Sequence, residues 1–174
     1  MKKLLLASTI AISCVSLVNA EELGAYVDGV TLSIGQSKDK IDIYRLGLRK
    51  DFDAKWAKSS VGYFSGYWEL SANYWNWKSE SNFGIALSPV FAYYFDLGDF
   101  KPYVEGGIGG SWWSKTHIKN RNIGSHLHFE DRIGAGVRYK NLDFSFRYMH
   151  YSNAGLVKPN NGIDIFIGSI SYKF

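Results

Sequence analysis

Cysteine and proline are scarce in this chain of 174 residues. The single cysteine, Cys14, lies within the first 20 residues, so the rest of the chain has no thiol for a disulfide, a thiolate metal site or a catalytic cysteine. Proline occurs only three times. After residue 20 no run of about 18 consecutive apolar residues occurs, which excludes a transmembrane helix.

A large excess of charge of either sign is also missing. The chain has 20 basic and 16 acidic residues, and its formal net charge of +4 falls by two when Lys2 and Lys3 are set aside. Binding to nucleic acid requires a concentrated basic surface. This balance therefore excludes nucleic acid as a partner.

The first 20 residues have the pattern of a secretory signal peptide. Lys2 and Lys3 supply a positively charged start, residues 4–18 are mostly apolar, and Ala20 ends a small-residue cleavage pattern. We therefore predict a signal peptide over residues 1–20 and export from the cytoplasm. The remaining residues, 21–174, have a length typical of one domain.

Aromatic residues are abundant, and they recur with period two. The chain has 6 Trp, 12 Tyr and 11 Phe residues, which make 17% of the total. In the last segment Phe166, Ile170 and Tyr172 lie on one face of a predicted strand, whereas Ser169 and Ser171 lie on the other. An exported strand with one apolar and one polar face is typical of outer-membrane barrels.

The same alternation predicts eight strands. They begin near Val30, Tyr44, Phe64, Asn82, Tyr103, His126, Leu142 and Ile163. Many of these segments have the length of about 9–11 residues that crosses a bilayer when tilted. We therefore predict an all-β fold, an eight-stranded antiparallel up-and-down transmembrane β-barrel. Eight strands leave an interior that side chains fill, with no open pore.

The inward rows of this predicted barrel carry charges of both signs. They contain Arg45, Arg49, Arg138, Arg147, Glu69, Glu105 and Glu130. An unpaired charge in the interior is costly, so we expect these groups to pair with one another. Mutual pairing favours a structural interior over a transport pathway.

The even number of strands orients the barrel. Both termini lie on the periplasmic side, and the first, third, fifth and seventh connections face outward. Two predicted strands end near the outer rim in tryptophans, Trp75 and Trp77 on one and Trp112 and Trp113 on the other. Near the inner rim lie Tyr93, Tyr94 and Phe95. We predict that these residues form the two aromatic girdles of a membrane barrel.

Three polar residues lie at outward-facing positions of the predicted strands, where apolar side chains are expected. His150 and Ser152 continue that row on the seventh strand, and Asp164 continues it on the eighth. Residues two apart on one face have Cα atoms about 6–7 Å apart, and the neighbouring strand lies about 4.8 Å away. This spacing suits a nucleophile, a base and an acid that orients the base. The alternative is that they only meet lipid head groups, because Asp42 and Asp131 share the outward parity.

The C-terminal motif resembles that of a known family. Residues 150–155 (HYSNAG) and 159–164 (PNNGID) closely resemble the end of PagL, the outer-membrane lipid A 3-O-deacylase. The resemblance extends more loosely to residues 102–109 (PYVEGGIG) and 132–136 (RIGAG). It implies hydrolysis of the ester that holds the acyl chain at position 3 of lipid A, in the outer membrane of a Gram-negative cell.

The resemblance also implies a role for each residue of the motif. Ser152 is the nucleophile, His150 is the general base, and Asp164 stands where the family has a glutamate. The groups implied to bind the oxyanion or to brace the turn that holds them are Asn153, Ala154, Gly155 and Asn160. The outward aromatic row below the triad, which includes Tyr148 and Phe166, is expected to receive the acyl chain.

Several alternatives stay open at this stage. A non-catalytic barrel with a structural or adhesive role is one, and a phospholipase that uses the same groups is another. The spacing of His117, His126, His128 and Glu130 matches no strong metal-ligand pattern, so we predict neither a metal nor a cofactor. Lys115, Lys119 and Arg121 either attract lipid A phosphates or only solvate their loop. The oligomeric state is also open, a homodimer included.

Overall fold

The computed structural model of the protein describes residues 24–174. The predicted signal peptide, residues 1–20, lies outside the described residues. Within these residues ten strands follow one another: β1 (Gly29–Ser37), β2 (Asp42–Asp51), β3 (Gly62–Trp77), β4 (Glu80–Phe95), β5 (Phe100–Trp113), β6 (His117–Ile118), β7 (Arg121–Asn122), β8 (Leu127–Tyr139), β9 (Leu142–Ser152) and β10 (Ile163–Lys173). Among residues 24–174, no helix has the length and apolar character needed to cross a membrane.

Eight of the strands close an antiparallel barrel. The order around it is β1, β10, β9, β8, β5, β4, β3 and β2, so each barrel strand pairs with its neighbours in sequence and β1 pairs with β10. The prediction of an eight-stranded up-and-down barrel is therefore confirmed. The two short strands β6 and β7 form a separate hairpin inside the connection from β5 to β8, which the sequence pattern did not indicate.

Side chains alternate between the wall and the interior as the period-two pattern predicts. On β9, Phe144 and Phe146 are exposed on the outer wall, whereas Asp143 and Arg147 are buried inside. The outer wall is an almost continuous apolar surface, which is what a bilayer requires of a barrel that crosses it.

The interior is a network of ion pairs. Arg45 bridges Glu69 and Glu130, with a nitrogen–oxygen distance of 2.7 Å to each carboxylate. Arg132 also pairs with both glutamates, and its guanidinium lies 3.0 Å from Glu69. Arg147 pairs with Glu105 in the same way. The expected mutual pairing is confirmed, and Arg132 is a member that the sequence analysis did not name.

A second, apolar cluster closes the barrel at the end away from the termini. It joins inward side chains of five barrel strands and Ile41 of the β1–β2 turn to two residues of the β5–β8 connection, Ile118 and Ile123. Trp75 and Trp113 lie at its centre with ring centroids 4.4 Å apart and no exposed surface. The hairpin therefore plugs the outer mouth of the barrel.

The prediction of two girdles is wrong for four of its residues. Trp75, Trp113 and Tyr94 point inward and are buried, and the partly buried Trp77 packs against the same interior cluster as Trp75. The reason is the alternation of side chains along a strand. Trp75 lies an even number of residues from the inward Glu69 and therefore also faces inward. Trp112 and Trp113 are adjacent, so they must face opposite sides. Trp112 does face outward and is exposed.

Candidate active site

The three predicted site residues come together at the outer end of β9 and β10. His150 and Asp164 are direct cross-strand partners, and Ser152 is the last residue of β9. All three side chains are partly exposed on the outer wall. Tyr151, between His150 and Ser152, is buried, and so is Asn153, which follows Ser152. The site therefore lies on the lipid-facing side, at the end of the barrel away from the two termini.

A short hydrogen bond joins the imidazole to the carboxylate. His150 Nδ1 lies 2.6 Å from Asp164 Oδ1. An ionised carboxylate can only accept, so Nδ1 carries the proton and Nε2 is left as the basic nitrogen. This is the tautomer that a general base needs when an acid holds its other nitrogen.

The Ser152 hydroxyl is on the same face as the imidazole. Among the hydrogen bonds of residues 24–174, none joins it to His150. Such bonds are often long until substrate binds, so the shared face and the two-residue spacing are the relevant observations. Gly162 lies beside the Cε1–Nε2 edge of the ring, because a Cβ built on it would lie 2.9 Å from His150 Cε1 and 3.4 Å from Nε2.

Two further side chains hold Asp164. The Tyr148 hydroxyl donates to Oδ1 at 2.8 Å, and Lys38 Nζ donates to Oδ2 at 3.0 Å. In the sequence, Tyr148 is recognisable only as part of an apolar row, and Lys38 is 126 residues away from Asp164. No sequence signal identifies Lys38, because its position depends on β1 closing the barrel against β10.

The connection from β9 to β10 is organised by Asn153, which is buried. Its Nδ2 donates to the carbonyl oxygens of Ile123 and Val157 at 3.0 and 2.9 Å. Its Oδ1 accepts a hydrogen bond from the Gly155 amide at 2.9 Å. Asn153 thus ties the connection to the plugged mouth of the barrel.

The predicted oxyanion donors differ in their availability. The Gly155 amide is occupied by Asn153, whereas the Ala154 amide has no hydrogen-bond partner among the described residues. Asn160 Oδ1 accepts from the Asn153 amide at 3.2 Å, so its Nδ2 group points the other way and is available to donate. Ala154, Gly155 and Gly162 have positive φ angles of 53°, 78° and 56°, which shape the tight path of this connection.

An apolar groove begins beside the site. Phe129 of β8 is the cross-strand partner of Ser152, and the same lateral row continues through Gly110 and Leu87. Phe129, Gly110 and Leu87 line a groove of about 860 Å³ on the outer wall, and Leu156 and Val157 of the β9–β10 connection also line it. Gly110 gives it depth, since no atom lies within 4 Å of where its Cβ would be. This groove is on the opposite side of β9 from Phe166, where the sequence analysis expected the acyl chain.

Other charged and metal-binding candidates have separate partners. Asp131 is the partner of His150 on β8, but the imidazole bonds to Asp164 instead. Asp42 accepts from Gln36 on β1. In the part of the chain that is described, no three His, Cys, Asp or Glu side chains form a group able to hold a metal ion.

The basic residues of the β5–β8 connection bond to neighbouring loops. Arg121 Nε donates to Asp39 Oδ2 at 2.6 Å, and Lys119 donates to the Asp39 carbonyl oxygen. Lys115 donates to the Ser81 carbonyl oxygen at 2.8 Å. These contacts give the three cations a structural role in joining the outer loops.

Comparison with known proteins agrees with the geometry. The family model described as lipid A 3-O-deacylase (PagL) matches residues 42–173. The lipid A deacylase PagL of Pseudomonas aeruginosa is 40% identical over 177 residues, covering 99% of this chain and 98% of that protein. The lipid A deacylase PagL of Bordetella bronchiseptica is 34% identical over 124 residues, covering 64% of this chain and 67% of that protein.

A solved structure gives the same result for the fold. The crystal structure of the outer membrane enzyme PagL is 38% identical to this chain, with a TM-score of 0.81, and the match covers 84% of this chain and 99% of that one. Family membership sets aside the non-catalytic alternative. The chain therefore belongs to the PagL family of lipid A 3-O-deacylases, ester hydrolases that are β-barrels of the outer membrane.

Proposed function

We propose that this protein hydrolyses the ester at position 3 of lipid A with a triad of Ser152, His150 and Asp164 on its lipid-facing wall. The observation that carries the proposal is the 2.6 Å contact from His150 Nδ1 to Asp164 Oδ1, made outside the barrel beside an apolar groove. A His–Asp pair on a membrane-facing surface has no packing function, and it suits base catalysis beside a hydroxyl.

The reaction follows acyl-transfer chemistry. His150 Nε2 takes the proton of the Ser152 hydroxyl, and Oγ attacks the ester carbonyl carbon. The tetrahedral intermediate then breaks its bond to the sugar oxygen, which leaves with the proton from the imidazole. Water, deprotonated by His150, attacks the acyl-enzyme and releases the fatty acid. Asp164 stabilises the imidazolium in both steps.

Two donors are available to bind the negative charge that develops on the ester oxygen. They are the Ala154 amide and Asn160 Nδ2, because the Gly155 amide already donates to Asn153. Donors fixed before the reaction act strongly in a site with little water. Asn153 holds the connection that presents both donors, and it does so through three hydrogen bonds of its own.

The groove gives the acyl chain a place on the wall. Ser152 lies next to Phe129, at the point where the lateral row of apolar residues enters the groove. A chain seated there is covered by Leu156 and Val157, and its ester lies near the end of β9. A hydrocarbon chain in this position stays within the hydrophobic layer, so the lipid does not have to be extracted from the membrane.

The position of the site fits the outer leaflet, which holds lipid A. The strand ends that carry the triad are opposite the two termini, which a barrel of this kind keeps on the periplasmic side. All of the proposed catalytic groups come from one chain. The mechanism therefore requires no second copy, and a homodimer is not needed to complete the site.

The test is mass spectrometry of lipid A from cells that express the wild type, Ser152→Ala or Asp42→Asn. We expect loss of the 3-linked acyl chain with the wild type and with Asp42→Asn, and no loss with Ser152→Ala. Removing a triad nucleophile should lower the rate by roughly 10⁴–10⁶-fold. Equal deacylation by Ser152→Ala contradicts the triad, and preferential cleavage of added diacyl phospholipid supports the phospholipase alternative instead.

A further inference from the structure

The carboxylate of Asp164 is held from both sides. Oδ1 accepts from His150 Nδ1 and from the Tyr148 hydroxyl, while Oδ2 accepts from Lys38 Nζ. Lys38 is also attached through its backbone, since its amide donates to the Asp164 carbonyl oxygen at 3.2 Å. Its ammonium lies 5.5 Å from the centroid of the Tyr148 ring. Lys38, Tyr148 and Asp164 therefore form a closed cluster of three residues, each in contact with the other two.

This cluster matters because an aspartate on its own fixes its carboxylate poorly. The terminal torsion of a carboxylate side chain has a broad energy profile, so the two oxygens rotate easily unless partners hold them. Asp164 also has a shorter arm than the glutamate that the resemblance led us to expect at this position. With Lys38 on Oδ2 and Tyr148 on Oδ1, Oδ1 is kept in the direction of the imidazole.

We propose that Lys38 and Tyr148 are positioning residues, which act through Asp164 to hold the His150 imidazole in the orientation that the reaction requires. The inference rests on the proposed triad. Neither side chain has to touch the substrate. Lys38 reaches the site only because β1 and β10 are adjacent in the closed barrel, so a turn near the start of the described chain supports the acid near its end.

The charge of Lys38 suits this role. The hydrogen bond and the negative charge of Asp164 raise the pKa of the Lys38 ammonium above its ordinary value. Lys38 therefore stays protonated, and keeps donating, throughout the neutral range. Lys40 lies in the same turn and is exposed, and its side chain makes no hydrogen bond within the described residues. It is the matched control for a positive charge at this rim.

A competing role for Lys38 is direct attraction of a lipid A phosphate, because more than half of its side chain is exposed. The two roles differ in what they predict. A positioning residue changes kcat and depends on an intact Asp164. A phosphate-binding residue changes KM and acts whether or not Asp164 is charged.

The experiment measures kcat and KM of purified, folded protein in detergent micelles with lipid A as substrate. The variants are Lys38→Met, Lys38→Arg, Tyr148→Phe, Asp164→Asn, the double variant K38M/D164N, Lys40→Met and Ser152→Ala. We expect Lys38→Met to lower kcat by about tenfold, a size typical of coupled neighbours, with little change in KM. Lys38→Arg should recover most of this loss, Tyr148→Phe should lower kcat in the same direction, and Lys40→Met should match the wild type.

The double variant decides the mechanism. If Lys38 acts through Asp164, Lys38→Met has little further effect in the Asp164→Asn background. A loss of the same size in both backgrounds, or a rise in KM alone, overturns the proposal and points to phosphate binding. If Lys38→Met has wild-type activity and Ser152→Ala is inactive, the positioning role is overturned and the proposed triad is unaffected. Activity of Ser152→Ala overturns the triad itself, and this inference with it.

Discussion

His150 and Asp164 face each other across two directly paired positions of β9 and β10, with Nδ1 of the imidazole 2.6 Å from Oδ1 of the carboxylate. The proposed base and its acid are thus fixed by the register of a strand pair and do not depend on a loop. Sites built on strands are held more accurately than sites built on loops. The other proposed site groups lie in the connection after Ser152, which has no regular secondary structure.

Replacing the acid tests whether this strand pair is catalytic. We expect Asp164→Asn to lower kcat by about 10²–10⁴-fold, because an amide favours the wrong imidazole tautomer and leaves the imidazolium without a counter-charge. Asp42→Asn removes another outward acid near the same rim and should leave kcat unchanged. Assays of purified protein on lipid A supply the measurement, and similar rates for the two variants would rule out a catalytic role for Asp164.

The residue beside the imidazole is predicted to tolerate no side chain. Gly162 has a φ of +56°, and a Cβ there would lie 2.9 Å from His150 Cε1. Gly162→Ala should therefore displace the ring and reduce kcat by at least tenfold, about the loss expected when a catalytic group moves by a fraction of an ångström. Gly168→Ala on β10, with open space at its Cβ, is the control. Full activity of Gly162→Ala would show that the ring position is not critical.

Filling the groove should impair binding of the acyl chain. Gly110 lies in the groove with nothing within 4 Å of its Cβ position, so a leucine side chain there would extend into the groove. We expect Gly110→Leu to raise KM several-fold and to affect substrates with long acyl chains most. Gly168→Leu places the same side chain on the wall outside the groove and should have no such effect. Kinetics with lipid A species of different chain length check this, and equal behaviour of both variants would place the chain elsewhere.

The ion-pair network of the interior should control stability and not catalysis. Arg45→Met leaves Glu69 and Glu130 with one fewer buried partner, and loss of one member of a buried pair costs about 3–5 kcal/mol. The exposed pair of Lys50 and Asp28 is the comparison, and Lys50→Met should have a much smaller effect. Urea unfolding of the barrel in lipid vesicles measures both. A drop in kcat of folded Arg45→Met protein would contradict a purely structural role.

Much of the fold and the candidate site follows from period two alone. The outward parity of His150, Ser152 and Asp164 can be read from the residues between them, and the register of β9 and β10 then makes two of them neighbours. The inward charges were predictable for the same reason. The same alternation places Trp75 and Trp113 in the interior. The girdle prediction is wrong because it did not apply the alternation to these residues.

The remaining features depend on contacts between distant parts of the chain. Lys38 meets Asp164 only because the first and last strands pair, and period two carries no information about what a turn contacts. The β6–β7 hairpin has two residues in each strand, too few for any alternation to appear. Asn153 accepts the hydrogen bond of the Gly155 amide within an irregular connection that contains residues with left-handed backbone angles. No residue pattern specifies this geometry.

Covalent trapping tests the central claim most directly. Purified protein is treated with a fluorophosphonate, which reacts with activated serine hydroxyls, and the modified residue is located by peptide mass spectrometry. The mechanism predicts one adduct, on Ser152, formed in step with loss of lipid A deacylation, and little reaction in His150→Ala. Inactivation with the adduct on another serine, or rapid labelling of Ser152 in His150→Ala, would contradict it.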